Sequence, residues 1–185
     1  TVAAIRSNGT LAIWGQRAQA YGQPTGKFLD VATYQSHMVA IRSDGQLVSW
    51  GDDFDGVVSD TPGGAFKVVA CGNHRDVDGQ QRRYSMALRT DGTLVVWGST
   101  FMRVNAPTGT FQSIVAGEGA ALALRTDGTL VAWGTENWGQ QLIVPAGQFS
   151  AIGNGAYTFH AIRRNSPPTL NNPGPKNASE HTPFT

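Results

Sequence analysis

Two motifs recur in phase along this chain, and no fold that lacks internal repetition can accommodate them. The stretch Ala87-Leu-Arg-Thr-Asp-Gly-Thr-Leu-Val-Val-Trp-Gly98 returns with small changes at Ala4 to Gly15, Ala40 to Gly51 and Ala123 to Gly134. A second block, Pro-x-Gly-x-Phe, occurs as Pro24/Gly26/Phe28, Pro62/Gly64/Phe66, Pro107/Gly109/Phe111 and Pro145/Gly147/Phe149. Beyond each Phe comes an apolar β-branched residue (Val31, Val69, Ile114, Ile152), and in three copies a glycine follows (Gly72, Gly117, Gly155) where the first has Tyr34. Fixed-period self-similarity of this kind is the mark of a solenoid, propeller or array.

Each unit reads as three short strands: one starting at the Phe, one over Ala-Leu-Arg, and one over Thr-Leu-Val-Val-Trp. With 23 glycines, 9 prolines and only 15% charged residues, the composition suits strands joined by tight turns. Asp-Gly between the second and third strands predicts a two-residue type I′ hairpin, which needs positive φ at both central residues. With Asp91-Gly92 as that turn, Arg89 would face Leu94 and Met86 would face Trp97. Both hairpin faces are largely apolar, so each blade must be covered on both sides, as radial stacking in a propeller provides.

At the level of whole motifs the chain resembles the regulator of chromosome condensation repeat family. The residues that carry the likeness are Ala-Leu-x-x-Asp-Gly followed by Trp-Gly, His37 three positions before Ala40, and Trp133-Gly-Thr-Glu-Asn-Trp-Gly-Gln140. The units are shorter than in the eukaryotic namesake and closer to the compact three-stranded blades of bacterial relatives, among them a β-lactamase-inhibiting propeller. The resemblance implies an all-β β-propeller of about four to five short, mostly three-stranded blades over residues 1–165. Thr1, Tyr84, Ala120 and Thr158 take the family's His position elsewhere, so that histidine is not systematic.

The strand inventory leaves the ring incomplete. Four Phe-type first strands, five second strands and four Trp-Gly third strands are expected; no first strand precedes Ala4, and Arg163-Arg-Asn-Ser-Pro-Pro168 has lost the Asp-Gly turn. A small ring, a fragment of a larger ring and an open array closed by a partner chain all fit, and the family's usual seven blades favour the last two. Residues 166–185 are proline-dense and nearly devoid of apolar side chains, which predicts an extended tail.

The loops after each Trp-Gly connect one blade to the next, and each carries an aromatic: Tyr21, Phe54, Phe101 and Trp138. Aromatics in the equivalent loops of the inhibitor relative form its partner-binding surface, so the resemblance implies these four as contacts; packing of each loop on the next blade is the alternative. An insertion from Asn73 to Arg83 breaks the repeat and brings His74, Arg75, Arg82 and Arg83. Arg6, Arg42, Arg89, Arg125 and Arg163 recur once per unit, a spacing that predicts structural pairing with a turn Asp or stacking on Trp.

No metal site is expected: Asp52-Asp-Phe-Asp-Gly56 and Asp76-Val-Asp-Gly79 lack the remaining oxygens of a cation loop, and the four histidines lack ligand spacing. No catalytic residues and no cofactor are expected, for want of a nucleophile elbow or phosphate loop. The lone Cys71 permits no intrachain disulfide and reads as a buried small hydrophobe. A formal net charge of +1 gives no field that would favour nucleic acid, and no apolar run reaches the length of a membrane span. The expected partner is protein, other copies of the chain included. The functional expectation is therefore a non-enzymatic protein-binding scaffold or structural subunit of a larger assembly. The alternative is a secreted inhibitor or ligand-binding propeller. The compartment stays open, with secretion or an extracellular or viral assembly slightly favoured over the cytoplasm.

Overall fold

The computed structural model describes residues 1–15, 18, 20–76, 78–134, 142–155 and 158–165. The expected tail at 166–185 and Trp138 lie outside the described residues. Among the described residues, thirteen strands form five units in chain order. The first unit pairs β1 (Val2–Ile5) with β2 (Leu11–Trp14). Three full blades follow: β3 (Phe28–Tyr34), β4 (His37–Arg42) and β5 (Leu47–Gly51); β6 (Phe66–Arg75), β7 (Gln81–Arg89) and β8 (Leu94–Gly98); and β9 (Phe111–Ala116), β10 (Ala120–Arg125) and β11 (Leu130–Gly134). The fifth unit pairs β12 (Phe149–Asn154) with β13 (Phe159–Arg163). Every pairing within a unit is antiparallel. This is the strand inventory the repeats predict, and the chain is an arc of propeller blades.

The core lies between blades. One cluster joins Leu11 of the first unit to Phe28, Met38, Ala40 and Trp50 of the second. The next joins Val39 and Ile41 to Phe66, Val69, Cys71, Ala87 and Trp97. A third joins Tyr84, Met86 and Leu88 to Phe111, Ile114, Ala123 and Trp133. Trp50, Trp97 and Trp133 therefore each face the preceding unit. Cys71 is a free, buried thiol, and burial raises its pKa. The first strands β3, β6, β9 and β12 line a central groove of about 340 Å³ walled by Ala32, Val69, Ile114 and Asn154 among others.

The hairpin turns differ from the sequence expectation. Arg89 N–H donates to the Thr93 carbonyl at 2.9 Å and Gly92 N–H to the Arg89 carbonyl at 2.9 Å, so the loop holds three residues. Only Gly92 takes positive φ, at 90°, while Asp91 does not. The Asp91 carboxylate instead accepts from Thr93 N–H at 2.8 Å and from the Thr93 hydroxyl at 2.7 Å. That side-chain bond makes a type I turn closed by a left-handed glycine the better solution here. The consequence is a one-residue shift: Ser85, not Met86, lies opposite Trp97, and Leu88, not Arg89, lies opposite Leu94. The same backbone bonds close the turns at Asn8-Gly9, Asp44-Gly45 and Asp127-Gly128.

These turns also fasten neighbouring blades. The carbonyls of Gly9, Gly45, Gly92 and Gly128 accept from the N–H of Phe28, Phe66, Phe111 and Phe149 in the next unit, at 2.8–2.9 Å. The repeated arginine is structural, but its partner is neither the turn Asp nor Trp. Arg42, Arg89, Arg125 and Arg163 each lie over the first-strand Phe of their own blade, 5.0 to 5.8 Å from the ring centre. Each also donates to the carbonyl of the residue after the motif proline: Thr25, Gly63, Thr108 and Ala146. The motif glycine follows from this arrangement: a Cβ on Gly109 would stand 2.7 Å from the Arg125 guanidinium, and its φ is +117°. A bulge beside the Phe recurs in all four first-strand pairings.

Removing the Phe should cost far more than removing its cation. We expect Phe111→Ala to lose about 3–5 kcal/mol and Arg125→Ala about 1–2 kcal/mol. Urea unfolding monitored by tryptophan fluorescence checks both, and equal losses would contradict this assignment of roles.

Candidate functional site: a loop-face patch across two blades

The sequence places Phe54, the insertion and Phe101 far apart; the fold gathers them at the Trp-Gly end of the second and third blades. Strands β6 and β7 run past the ring as a long ladder that ends at Arg75↔Gln81. Its tip repeats the same turn chemistry, with the Asp76 carboxylate accepting from Asp78 N–H at 3.1 Å and Gln80 N–H at 2.8 Å. Beside it, the loop after Trp50-Gly51 forms a 3-10 turn at Phe54–Gly56, in which Asp55 has a φ of 60°. The loop after Trp97-Gly98 forms a short helix, α1 (Thr100–Val104), which the sequence reading did not anticipate. Both loops are pinned by one apolar residue: Val57 and Met102 are fully buried, and the Val57 carbonyl accepts from Trp97 Nε1 at 2.9 Å.

Asp55 ties the insertion to the loop. Its carboxylate accepts from Arg83 N–H at 2.8 Å and from the Arg82 guanidinium at 3.3 Å, while Arg82 also bonds Asp76 at 2.7 Å. These contacts hold the Asp76 carboxyl below its usual range, the Arg82 side-chain hydrogen bond being the largest cause. The Arg83 guanidinium lies 4.3 Å from the centre of the Phe54 ring, which stays more than half exposed. On the other side, His74 is buried against Phe101, with ring centres 5.3 Å apart, and its Nε2 pairs with the Ser99 hydroxyl at 2.5 Å. Arg75 is turned away and donates to the Gly79 carbonyl at 3.0 Å. Val104 is exposed beyond Phe101.

Of the four loop aromatics, Phe54 and Phe101 therefore share this patch. Tyr21 is half-buried against the cluster formed by the first two units. The Asp cluster serves the backbone: Asp53 Oδ1 accepts from Val58 N–H at 2.8 Å and Ser59 N–H at 3.0 Å, which lowers its pKa. Among the described residues no group of three or more His, Cys, Asp or Glu is placed to hold a metal. None of the described helices is long and apolar enough to cross a membrane.

Beneath the patch lies a residue whose burial the sequence reading did not expect. His37, at the start of β4, is 1% exposed, and neither ring nitrogen has a hydrogen-bond partner of good geometry. Burial lowers its pKa to about 4, with the Arg83 charge adding to the shift and the Tyr84 backbone opposing it. Asn73 and Ser85, also fully buried, leave side-chain polar atoms unpaired nearby on the same face of β6 and β7.

The fold so defined is that of a β-propeller whose inter-blade loops form a composite surface. The family model for the regulator of chromosome condensation (RCC1) repeat matches residues 28–57, the second blade and the loop carrying Phe54. No curated protein sequence matches the chain significantly. Among solved structures, the entire ectodomain of the Physcomitrella patens receptor kinase CR4 matches with a TM-score of 0.66 at 21% identity, over 86% of this chain and 42% of that one. The CRINKLY WD40 ectodomain of the Arabidopsis thaliana receptor kinase ACR4 matches with a TM-score of 0.57 at 22% identity, over 77% and 48%. Prp20p from Saccharomyces cerevisiae, described together with its binding to Gsp1p and histones, matches with a TM-score of 0.54 at 16% identity, over 78% and 45%. The chain thus spans less than half the length of each of these neighbours.

Because His37 protonates more readily unfolded than folded, the native state should lose stability as pH falls from about 6.5 towards 4. The loss from His37 alone should reach about 3 kcal/mol across that window. His74, also shifted down mainly by burial, adds in the same direction. Unfolding free energies at pH 7.5 and 4.5 should converge in a His37→Gln variant relative to wild type; an unchanged slope would refute the assignment.

Proposed function

We propose that this propeller arc is a non-enzymatic protein-binding scaffold that engages its partner through the patch built on Phe54 and Phe101. The observation that carries the reading is that two exposed aromatics from different loops are held in place from behind, Phe54 by Arg83 and Phe101 by His74. An aromatic already ordered by its neighbours offers large contact area and loses little side-chain freedom on binding. Arg82 is balanced by Asp55 and Asp76, so the polar groups around the aromatics are largely satisfied within the chain and leave apolar contact to supply the affinity.

A catalytic reading has less support. The Ser99–His74 pair is the one hydroxyl–imidazole contact in this patch, and both residues are buried under Phe101, out of reach of a substrate. Asp55 is committed to Arg82 and Arg83. That Prp20p is described as binding Gsp1p and histones supports a protein partner in general for this fold, and a role as a structural subunit of a larger assembly is the form of scaffold we favour.

Phe54→Ala and Phe101→Ala should each weaken binding of the native partner at least tenfold while leaving the circular dichroism spectrum and melting temperature unchanged. Tyr21→Ala should lower stability instead. Partner affinity measured by calorimetry on the captured and identified protein decides the matter, and full affinity in the Phe54/Phe101 double variant would refute the proposal.

A further inference from the structure

The second and third blades are joined by different kinds of bond at their two ends. At the clasp end the Gly45 carbonyl accepts from Phe66 N–H at 2.9 Å, and beside it the Asp30 carboxylate accepts from Val69 N–H at 3.0 Å. At the Trp-Gly end the bonds run through side chains. Asp55 accepts from Arg83 N–H and from Arg82, and Trp97 Nε1 donates to the Val57 carbonyl. His37 is buried in this end of the junction with both ring nitrogens lacking a well-formed hydrogen bond. Its repeat counterpart in the third blade is Tyr84, whose hydroxyl crosses to the fourth blade and lies 3.0 and 2.8 Å from the Gly117 and Ala120 carbonyls. The same place is therefore filled in one junction by a bonded phenol and in the other by an imidazole that titrates.

A proton on His37 would make a buried cation beside another cation. His37 lies opposite Tyr34 of β3 and Gly51 of β5. The face of the third blade turned to it carries Cys71 and Asn73 of β6 and Arg83 and Ser85 of β7. The loop after β5 brings three carboxylates. Asp52 follows Gly51 and its N–H donates to the Ser36 carbonyl, Asp53 accepts from Val58 and Ser59 N–H, and Asp55 is committed to Arg82 and Arg83. The charge that acts on the imidazole is the Arg83 guanidinium, which opposes protonation as burial does. Arg83 is also the support of Phe54, 4.3 Å from its ring centre. Parting the two blades at this end relieves the imidazolium, and it takes Arg83 off the Phe54 ring. We propose that this end of the junction is an acid-operated latch, in which protonation of His37 swings the Trp-Gly end open about the clasp and frees the Phe54 loop while the other junctions stay closed. That such release lowers affinity for a partner rests on the patch reading above; the latch itself is read without a partner. His74 lies on the opposite face of β6, against Phe101 and Ser99, and belongs to the other side of the patch.

Fluorine NMR of the full chain labelled with 4-fluorophenylalanine tests this, with the Phe54 signal assigned by its loss in Phe54→Leu. With the buried imidazole at about 4 and the released one near 6.5, the open form should gain about 30-fold on the closed form between pH 7.5 and 5.0. The Phe54 signal should move towards that of a free, solvated ring with a midpoint between those two values. Phe66, at the clasp of the same junction, and Phe111, in the next one, should keep their native shifts. In His37→Gln the Phe54 signal should stay at its neutral-pH position throughout, and His37→Tyr, which copies the next blade, should do the same if the glutamine variant fails to fold. A Phe54 signal that does not move, movement of all the phenylalanines together, or the same movement in the folded His37 variant would each overturn the latch. Full partner affinity in the Phe54/Phe101 double variant refutes the patch instead and leaves this result standing.

Discussion

The rest of this architecture depends on a clasp repeated between blades: the glycine carbonyl of one turn accepting from the Phe N–H that starts the next blade. It is a backbone bond, so it fixes the spacing of neighbouring blades whatever their side chains. The Phe that donates also fills the gap between the blades, and the arginine stacked on it holds the preceding Pro-x-Gly segment by its carbonyl. Turn, proline, glycine, phenylalanine and arginine thus form one unit, which is why those residues recur together while the loops vary. A break in the clasp would release two blades at once, because a propeller blade buries neither face alone.

Much of the fold was legible in the sequence, because the clasp leaves so many marks. Strand number, order and the position of every blade follow from the two motifs. Register did not follow, since Asp-Gly is compatible with two turns that differ by one residue, and the choice was made by the Asp91 side chain bonding Thr93. The partner of the periodic arginine was missed because Phe66 and Arg89 are distant in sequence and meet only through strand pairing. The bulge beside each Phe has no residue signature of its own.

The candidate site was legible in its parts and not in its assembly. Phe54, His74, Arg82, Arg83 and Phe101 were each noticed singly, as loop aromatics and as an insertion. Their convergence depends on the insertion extending the inner hairpin of the third blade, between the two loops that flank that blade's outer strand. The signal that could have revealed it is positional: the insertion lengthens the end of the hairpin where Trp-Gly loops emerge. The burial of His37, Asn73 and Ser85 beneath it was not readable, since polar residues next to turns ordinarily reach solvent.

The long β6–β7 hairpin is also a mechanical element. Its inner strand is bonded at Asn73 to the neighbouring blade, through Gly119 N–H at 2.7 Å and a parallel bridge to Glu118. A pull on the tip, by whatever is bound there, therefore loads a ladder of backbone bonds in shear rather than peeling them one at a time. The strain then divides between two blades and runs inward to the wall of the central groove. An attachment at this point would resist tension along the hairpin far better than tension across it, which makes the surface directional in the force it can bear.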